Sequence, residues 1–292
     1  MKLSSGRLET PYRDLTYGTE GIGKTTFGAS TDAPVFLCAE EGTDELDVVR
    51  LRREDDGPLS SYDDALEAVR WLATGEHDRK TLVIDTVDWL HAWIEVWTCK
   101  SNGWASIETP GYGKGHVAVV ETWRGFLAEL EALQRKRGMN ILMLGHAAAR
   151  RVQPPDLEGF DRYDLKVPDK VSAILREWCK GVFFAHHEIA VAKRDPANKT
   201  ERARGYSTGE RLLITEESAA VRAKNRYGLP PTLPFGPSTA RTIASYRSGE
   251  AIEREAAALM SKLPEDKQAT AREWWAAHTN KQAALRALRE RS

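Results

Sequence analysis

The 292-residue chain has only three cysteines, Cys38, Cys99 and Cys179, odd in number and far apart. That excludes a disulfide framework and a cysteine-built zinc site, and fits reduced thiols in a core. No apolar run approaches the roughly 20 residues a membrane-spanning helix needs, and the opening MKLSSGRLETPYRD lacks an apolar signal core. A cytoplasmic location without membrane contact is the expectation. A surplus of one charge sign is missing too: 42 Lys and Arg against 43 Asp and Glu give a formal net charge of −1. This excludes the overall basic field of an indiscriminate nucleic-acid binder, so any DNA contact must come from local patches. There is no internal repeat and no low-complexity tract. What remains is ordinary globular composition, in a length that suits one main domain with an appendage.

Strand-length apolar runs at 13–17 (RDLTY), 34–38 (PVFLC), 81–85 (TLVID) and 140–145 (NILMLG) alternate with the helical patterns YDDALEAVRWLA and ETWRGFLAELEALQRKRG. The alternation predicts an α/β fold whose mainly parallel central sheet is covered by helices on both faces. From about residue 181 the pattern changes. VFFAHHEIAVA, ERLLITE and AAVRAK read as consecutive strands, with KRDPANKTERARGYSTG as a polar hairpin tip, which adds antiparallel strands at the C-terminal edge. LPPTLPFGP (229–237) closes the core. Beyond it, EAIEREAAALMSKL and DKQATAREWWAAHTNKQAALRALRER carry helical spacing interrupted at Pro264, which predicts two helices. The expected division is a core over 1–247 and a helical C-terminal extension over 248–292.

GTEGIGKT (18–25) matches G-x-x-x-x-G-K-[ST], follows a predicted strand and opens a helix. Gly18, Thr19, Glu20, Gly21, Ile22, Gly23, Lys24, Thr25 and Thr26 form the expected cradle for ATP. Its backbone N–H groups curl around the phosphates, Lys24 reaches the β and γ oxygens, and Thr25 offers its hydroxyl to Mg²⁺. The alternative is a glycine turn with an exposed lysine. Asp85 ends LVID at the carboxyl edge of a predicted central strand, where it can hold a magnesium-bound water; the alternative is a helix cap for TVDWL. A nucleophilic water also needs a base. Glu40, just past PVFLC, is the candidate, with Glu41 in its place if the strand runs one residue longer, and a solvated acidic loop as the other reading of EEGTDELD.

Trp89, Trp93 and Trp97 recur at i, i+4 and i+8, a stripe for core or subunit packing. Trp274 and Trp275 lie about 100° apart on a helix, so one of the two is free to face outward.

The order of these features, through GTEGIGKTTF, TLVIDTVDWL, MLGHAAAR and AKNRYGLP, resembles the RecA-like ATPases over about residues 10–237. It is most similar to the compact, phage-encoded RecA-fold ATPases that act as single-strand annealing proteins. The resemblance implies a RecA-like P-loop core, ATP and Mg²⁺ as cofactors, and His146 as a γ-phosphate sensor where RecA usually has an amide. A histidine there can equally be a structural residue at a strand end. On a strand Lys224 and Arg226 project to one face. By the resemblance this pair reaches the phosphate held by a neighbouring copy, which couples hydrolysis to assembly; two solvated cations on an edge strand are the alternative.

The resemblance further implies single-stranded DNA on two segments, 98–116 and 147–168. The first offers Lys100 and Lys114 with His116, Trp104 and Tyr112, and the second Arg150, Arg151, Arg162, Tyr163 and Lys166, a mixture of cations and stacking faces suited to single strands. In the second, Asp156, Glu158, Asp161 and Asp164 nearly cancel the bases, so it is expected to act as a long loop that orders on assembly. The basic hairpin tip, with Lys193, Arg194, Lys199, Arg202 and Arg204, is a secondary patch. Expected partners are single-stranded DNA, further copies in a ring or filament, and a single-strand-binding protein. The function read from all this is a DNA-stimulated ATPase assisting phage recombination or strand annealing, against a ring motor or loader and, less well supported, a small-molecule kinase.

Overall fold

The computed structural model describes residue 3 and residues 10–155, 158–191 and 205–291. The first elements follow the predicted alternation: β1 (Arg13–Gly18), α1 (Lys24–Ala29), β2 (Pro34–Cys38), α2 (Tyr62–Thr74), β3 (Thr81–Asp85), α3 (Val87–Ser101), α4 (Lys114–Arg137) and β4 (Asn140–Val152). Then come β5 (Phe160–Leu165), α5 (Asp169–Trp178), β6 (Gly181–Val191), β7 (Gly205–Ile214), β8 (Lys224–Asn225) and β9 (Thr232–Pro234). Helices α6 (Thr239–Ser248), α7 (Glu250–Ser261), α8 (Glu265–Ala277) and α9 (Lys281–Arg291) follow.

The sheet runs β2-β3-β4-β1-β6-β7-β9, and its first five strands are parallel. Leu82, Val83 and Ile84 of β3 are fully buried, as befits a strand covered on both faces. β7 and β9 extend the sheet antiparallel, and β8 pairs antiparallel with the start of β6. This is the α/β architecture expected, with a helical C-terminal segment. Local chemistry sets the helix ends. The Ser61 hydroxyl accepts from Asp64 N–H at the start of α2, and α4 stops at Gly138, whose φ of 67° suits a residue without Cβ. Among the described residues no helix is long and apolar enough to cross a membrane.

Four expectations need correction. AAVRAK is not a strand: Ser218 N–H bonds Val221 O and closes a turn, leaving one bridge from Val221 to Tyr163 and the two residues of β8. The segment 147–168 is not a long loop, because β4 runs on to Val152 and pairs with β5 as an antiparallel hairpin. Three helices rather than two follow residue 248. Pro264 precedes α8, where a missing N–H costs nothing, and Asn280 opens α9 by accepting from Ala283 N–H at 3.1 Å. Finally, Lys224 and Arg226 do not share a strand face, because β8 ends at Asn225 and the two residues line different concavities.

The tail packs onto the core. Ile243, Ile252, Trp275 and Leu285 are buried in one cluster with Ile22 and Phe27 from the region of the cradle. Beneath them Asp14, fully buried at the start of β1, accepts from Gly181 N–H and the Tyr227 hydroxyl and pairs with Arg247 of α6. The Arg247 guanidinium lies 3.5 Å from the Tyr12 ring centroid and 5.1 Å from that of Tyr227. Removing one member of a buried pair strands the other charge. Asp14→Ala is therefore expected to lower unfolding stability by about 3–5 kcal/mol in urea titrations followed by tryptophan fluorescence.

Candidate nucleotide site

The cradle is built where β1 meets α1. Gly18 is the strand's last residue, and a Cβ there would come within 2.2 Å of Ala185 O on β6, so only glycine lets the two backbones run side by side. Gly21 and Gly23 have φ of 70° and 102°, the left-handed turns that curl the loop. Lys24, 6% exposed, folds its ammonium onto the loop's own carbonyls, at 3.0 Å from Thr19 O and 3.4 Å from Gly18 O. Burial pushes this lysine below its ordinary value, against the pull of Asp85 and Glu40. Arg211 of β7 donates to Ile22 O at 3.2 Å and braces the outer side of the loop.

The carboxyl ends of neighbouring strands bring the other groups alongside. Cys38 of β2 is in register with Asp85, Asp85 with Leu144 of β4, and Gly18 with His146. Glu40, Asp85, His146 and the cradle thus stand in a row at one edge of the sheet. Ala39 N–H bonds Asp85 O at 2.7 Å and turns the chain so that Glu40 is half-buried while Glu41 is exposed. Burial raises the Glu40 carboxyl above its ordinary value; His146 opposes the shift and Asp85 adds to it.

Asp85 does not cap α3. Its Oδ2 accepts from Thr25 Oγ1 at 2.8 Å, and its buried Oδ1 has no hydrogen-bond partner. Burial raises this carboxyl as well, against the Thr25 hydroxyl and Lys24. A buried, unpaired carboxylate oxygen beside a hydroxyl fits a hard divalent cation. Among the described residues no group of three or more His, Cys, Asp or Glu could hold a metal. A cation here depends on water and phosphate for its other ligands, as Mg²⁺ commonly does. Asp88, in the first turn of α3, accepts from His146 N–H at 3.0 Å and from its Nδ1 at 2.8 Å.

With this row in view, one comparison is decisive: the profile of the AAA domain family matches residues 10–227. The chain belongs to the AAA domain family of P-loop ATPases. No curated protein matches the chain. The match runs from just before β1 to two residues past β8, so the cradle, Glu40, Asp85, His146 and both members of the Lys224 and Arg226 pair lie inside it.

That pair stands at the other end of the sheet. Asn225 is in register with Gly181, and Gly181 with Asp14, four residues back along β1 from Gly18; that is about 13 Å of strand. The Lys224 ammonium bonds the carbonyls of Arg176, Glu177 and Cys179 and caps α5. Arg226 is exposed and lines a cleft of 1540 Å³ between the core and the tail helices.

Of the residues assigned to DNA, Arg150 is drawn to Asp169 and to the carbonyls of Leu165 and Val167, and Arg162 to Ala219 O, Glu217 and the Phe160 ring. Both hold the β4–β5 hairpin to its surroundings. Arg151 stands 3.5 Å from Asp161, and Lys166 stands 4.0 Å from Glu20 of the cradle. Lys100, Lys114 and Tyr112 are exposed. Trp93 and Trp97 pack on the core while Trp89 is 51% exposed; Trp275 is buried and Trp274 half-buried. All three cysteines are free thiols. Asp156 and the hairpin-tip residues Lys193, Arg194, Lys199, Arg202 and Arg204 lie outside the described residues.

Sequence reasoning missed Asp88 and Arg211. The second acid in LVIDTVD was a visible signal for Asp88; none pointed to Arg211, which is 189 residues from the carbonyl it holds. A charge-assisted bond contributes roughly 1.5–3 kcal/mol. Lys24→Ala is accordingly expected to weaken ATP binding about tenfold to a hundredfold, read by titration calorimetry.

Proposed function

We propose that the chain is a Mg²⁺-dependent, RecA-like ATPase that hydrolyses ATP between copies of itself and binds single-stranded DNA in recombination or strand annealing, as a phage-encoded protein would. The observation that carries the ATPase half is the buried, unpaired Oδ1 of Asp85 beside Thr25, with Glu40 two residues beyond the neighbouring strand. Thr25 and Asp85 are the residues that would hold Mg²⁺, which would supply positive charge to offset that of the triphosphate. The cradle fixes the phosphate chain, Lys24 exchanges its loop carbonyls for phosphate oxygens, and Glu40, raised by burial, accepts a proton from the attacking water.

Assembly is supported by Arg226. Its guanidinium lies at the amino edge of the sheet, out of reach of its own cradle, and is free to serve a phosphate on another copy. Lys224 is occupied at α5, so Arg226 alone is the fork in this reading. DNA binding is supported by Lys100 at the end of α3 and by Tyr112 and Lys114 at the start of α4, all exposed, together with Arg151 on the β4–β5 hairpin and Lys166 just past it.

Glu40→Gln is expected to bind ATP without turning it over, and Arg226→Ala to lower turnover yet recover part of it when mixed with Glu40→Gln chains. No recovery in the mixture would remove the trans role. ATP turnover with and without single-stranded DNA, with electron microscopy of the same samples, tests the DNA half. Stimulation with length-dependent assemblies is expected, whereas a DNA-indifferent rate and particle shape would leave an ATPase acting on another partner.

A further inference from the structure

Arg211 reaches the phosphate loop from 189 residues away along the chain, and the β6–β7 hairpin is shaped to bring it there. His187 is in register with Arg211, but Ile189 is already in register with Ser207, so β7 carries three residues, 208–210, opposite Glu188 alone. Such a bulge bends a strand and re-aims its side chains. Gly209 takes the turn with φ of 85°, and Thr208 Oγ1 fixes it by donating to Glu188 Oε2 at 2.8 Å. Arg211 follows directly. Two residues before the buried Leu213, it shares the face of the sheet that packs on Ile22 and Phe27. Its own carbonyl accepts from Phe235 N–H at 2.7 Å, and the Phe235 ring lies 5.3 Å from that of Phe27 in α1.

The guanidinium meets the loop at one peptide. Arg211 Nη1 donates to Ile22 O at 3.2 Å, and a Cβ on Gly23 would come within 3.0 Å of the same nitrogen. In a trans peptide the C=O of Ile22 and the N–H of Gly23 point in opposite directions. A cation that holds the carbonyl to the outer side of the loop therefore holds the Gly23 N–H to the inner side, where a cradle receives phosphate. That N–H donates to no group among the described residues. The flanking atoms are fixed separately: the Ile22 side chain is fully buried, and Gly23 O accepts from Phe27 N–H at 3.0 Å in the first turn of α1. Glycine without a Cβ, at φ of 102°, leaves the peptide between them free to turn over unless something holds it. Charge on the carbonyl also strengthens the N–H as a donor, because linked hydrogen bonds polarise one another.

We propose that Arg211 is a positioning residue of the cradle, which orients the Ile22–Gly23 peptide so that Gly23 N–H donates to the polyphosphate, without itself touching the nucleotide. The inference rests on the reading of the cradle as an ATP site. Phosphate affinity is thereby tied to the β6–β7 hairpin, far outside the loop's own sequence.

Residues 22 and 23 form the only Ile-Gly step in the chain, so carbonyl-¹³C isoleucine combined with ¹⁵N glycine gives one HNCO peak that reports on this peptide alone. In the full chain, ADP with Mg²⁺ should move the Gly23 proton downfield as it becomes hydrogen-bonded. In Arg211→Ala the Ile22 carbonyl carbon should move upfield before any ligand is added, and the proton shift caused by ADP should shrink. Titration calorimetry should show ADP and inorganic tripolyphosphate each bound about tenfold more weakly by the variant. If Arg211→Ala does not fold, Arg211→Met, which keeps the packing of the stem without the cation, carries the same expectations. A peak that behaves alike with and without the arginine, or unchanged affinity for both ligands, would overturn the inference. So would a loss for ADP with none for tripolyphosphate, because Arg211 would then serve the nucleoside. Binding of neither ligand by the unaltered chain would overturn the ATP reading of the cradle, and the inference with it.

Discussion

The hydrogen bond from Thr25 to Asp85, 2.8 Å long, joins helix α1, which follows β1, to the end of β3, although β4 lies between β1 and β3 in the sheet. It forms only because parallel strands end together at one edge and because α1 lies close over them. Gly28 permits that approach: a Cβ there would come within 2.9 Å of the Val83 side chain. Gly145 on β4 permits a different close approach, that of β5 and the start of α3, since a Cβ there would stand 2.3 Å from the Leu165 side chain and 3.0 Å from that of Val87. The sheet thus sets the spacing of Glu40, Asp85, His146 and the cradle before any ligand arrives. The cost is concentrated at Asp85, whose second oxygen is buried without a partner, an arrangement that a bound cation would relieve.

Much of this was legible in the sequence, for physical reasons. Strands buried on both faces read as unbroken apolar runs, so PVFLC and TLVID map onto β2 and β3 without error. A phosphate cradle needs glycine where φ is positive, and 18–25 shows it. The β4–β5 hairpin was hidden because Arg162 and Asp164 share one face of β5 while Asp161 lies on the other, so charge on both faces erases the two-residue period. Arg150 and Arg162 looked like nucleic-acid contacts for a related reason: counting charges does not reveal the carbonyls and carboxylates that occupy them. Arg211 depends on β7 lying beyond β6 next to the cradle, which no local pattern encodes.

The two edges of the sheet carry different chemistry. The carboxyl edge gathers the phosphate loop and the acids, whereas the amino edge carries the Arg226 cleft and the pair of Arg247 with Asp14. β1 connects them, with Gly18 at one end against Ala185 and Asp14 at the other against Arg247. A six-residue strand therefore links the floor of the nucleotide site to the helical extension.

Similarity to the family stops at residue 227, but the partner of Asp14 comes from residue 247. A chain cut where the family ends would keep every phosphate-binding residue and still leave an uncompensated anion beneath the central strand. Helix α6, which lies beyond the matched region, thus supplies the cation set against the central strand of the core.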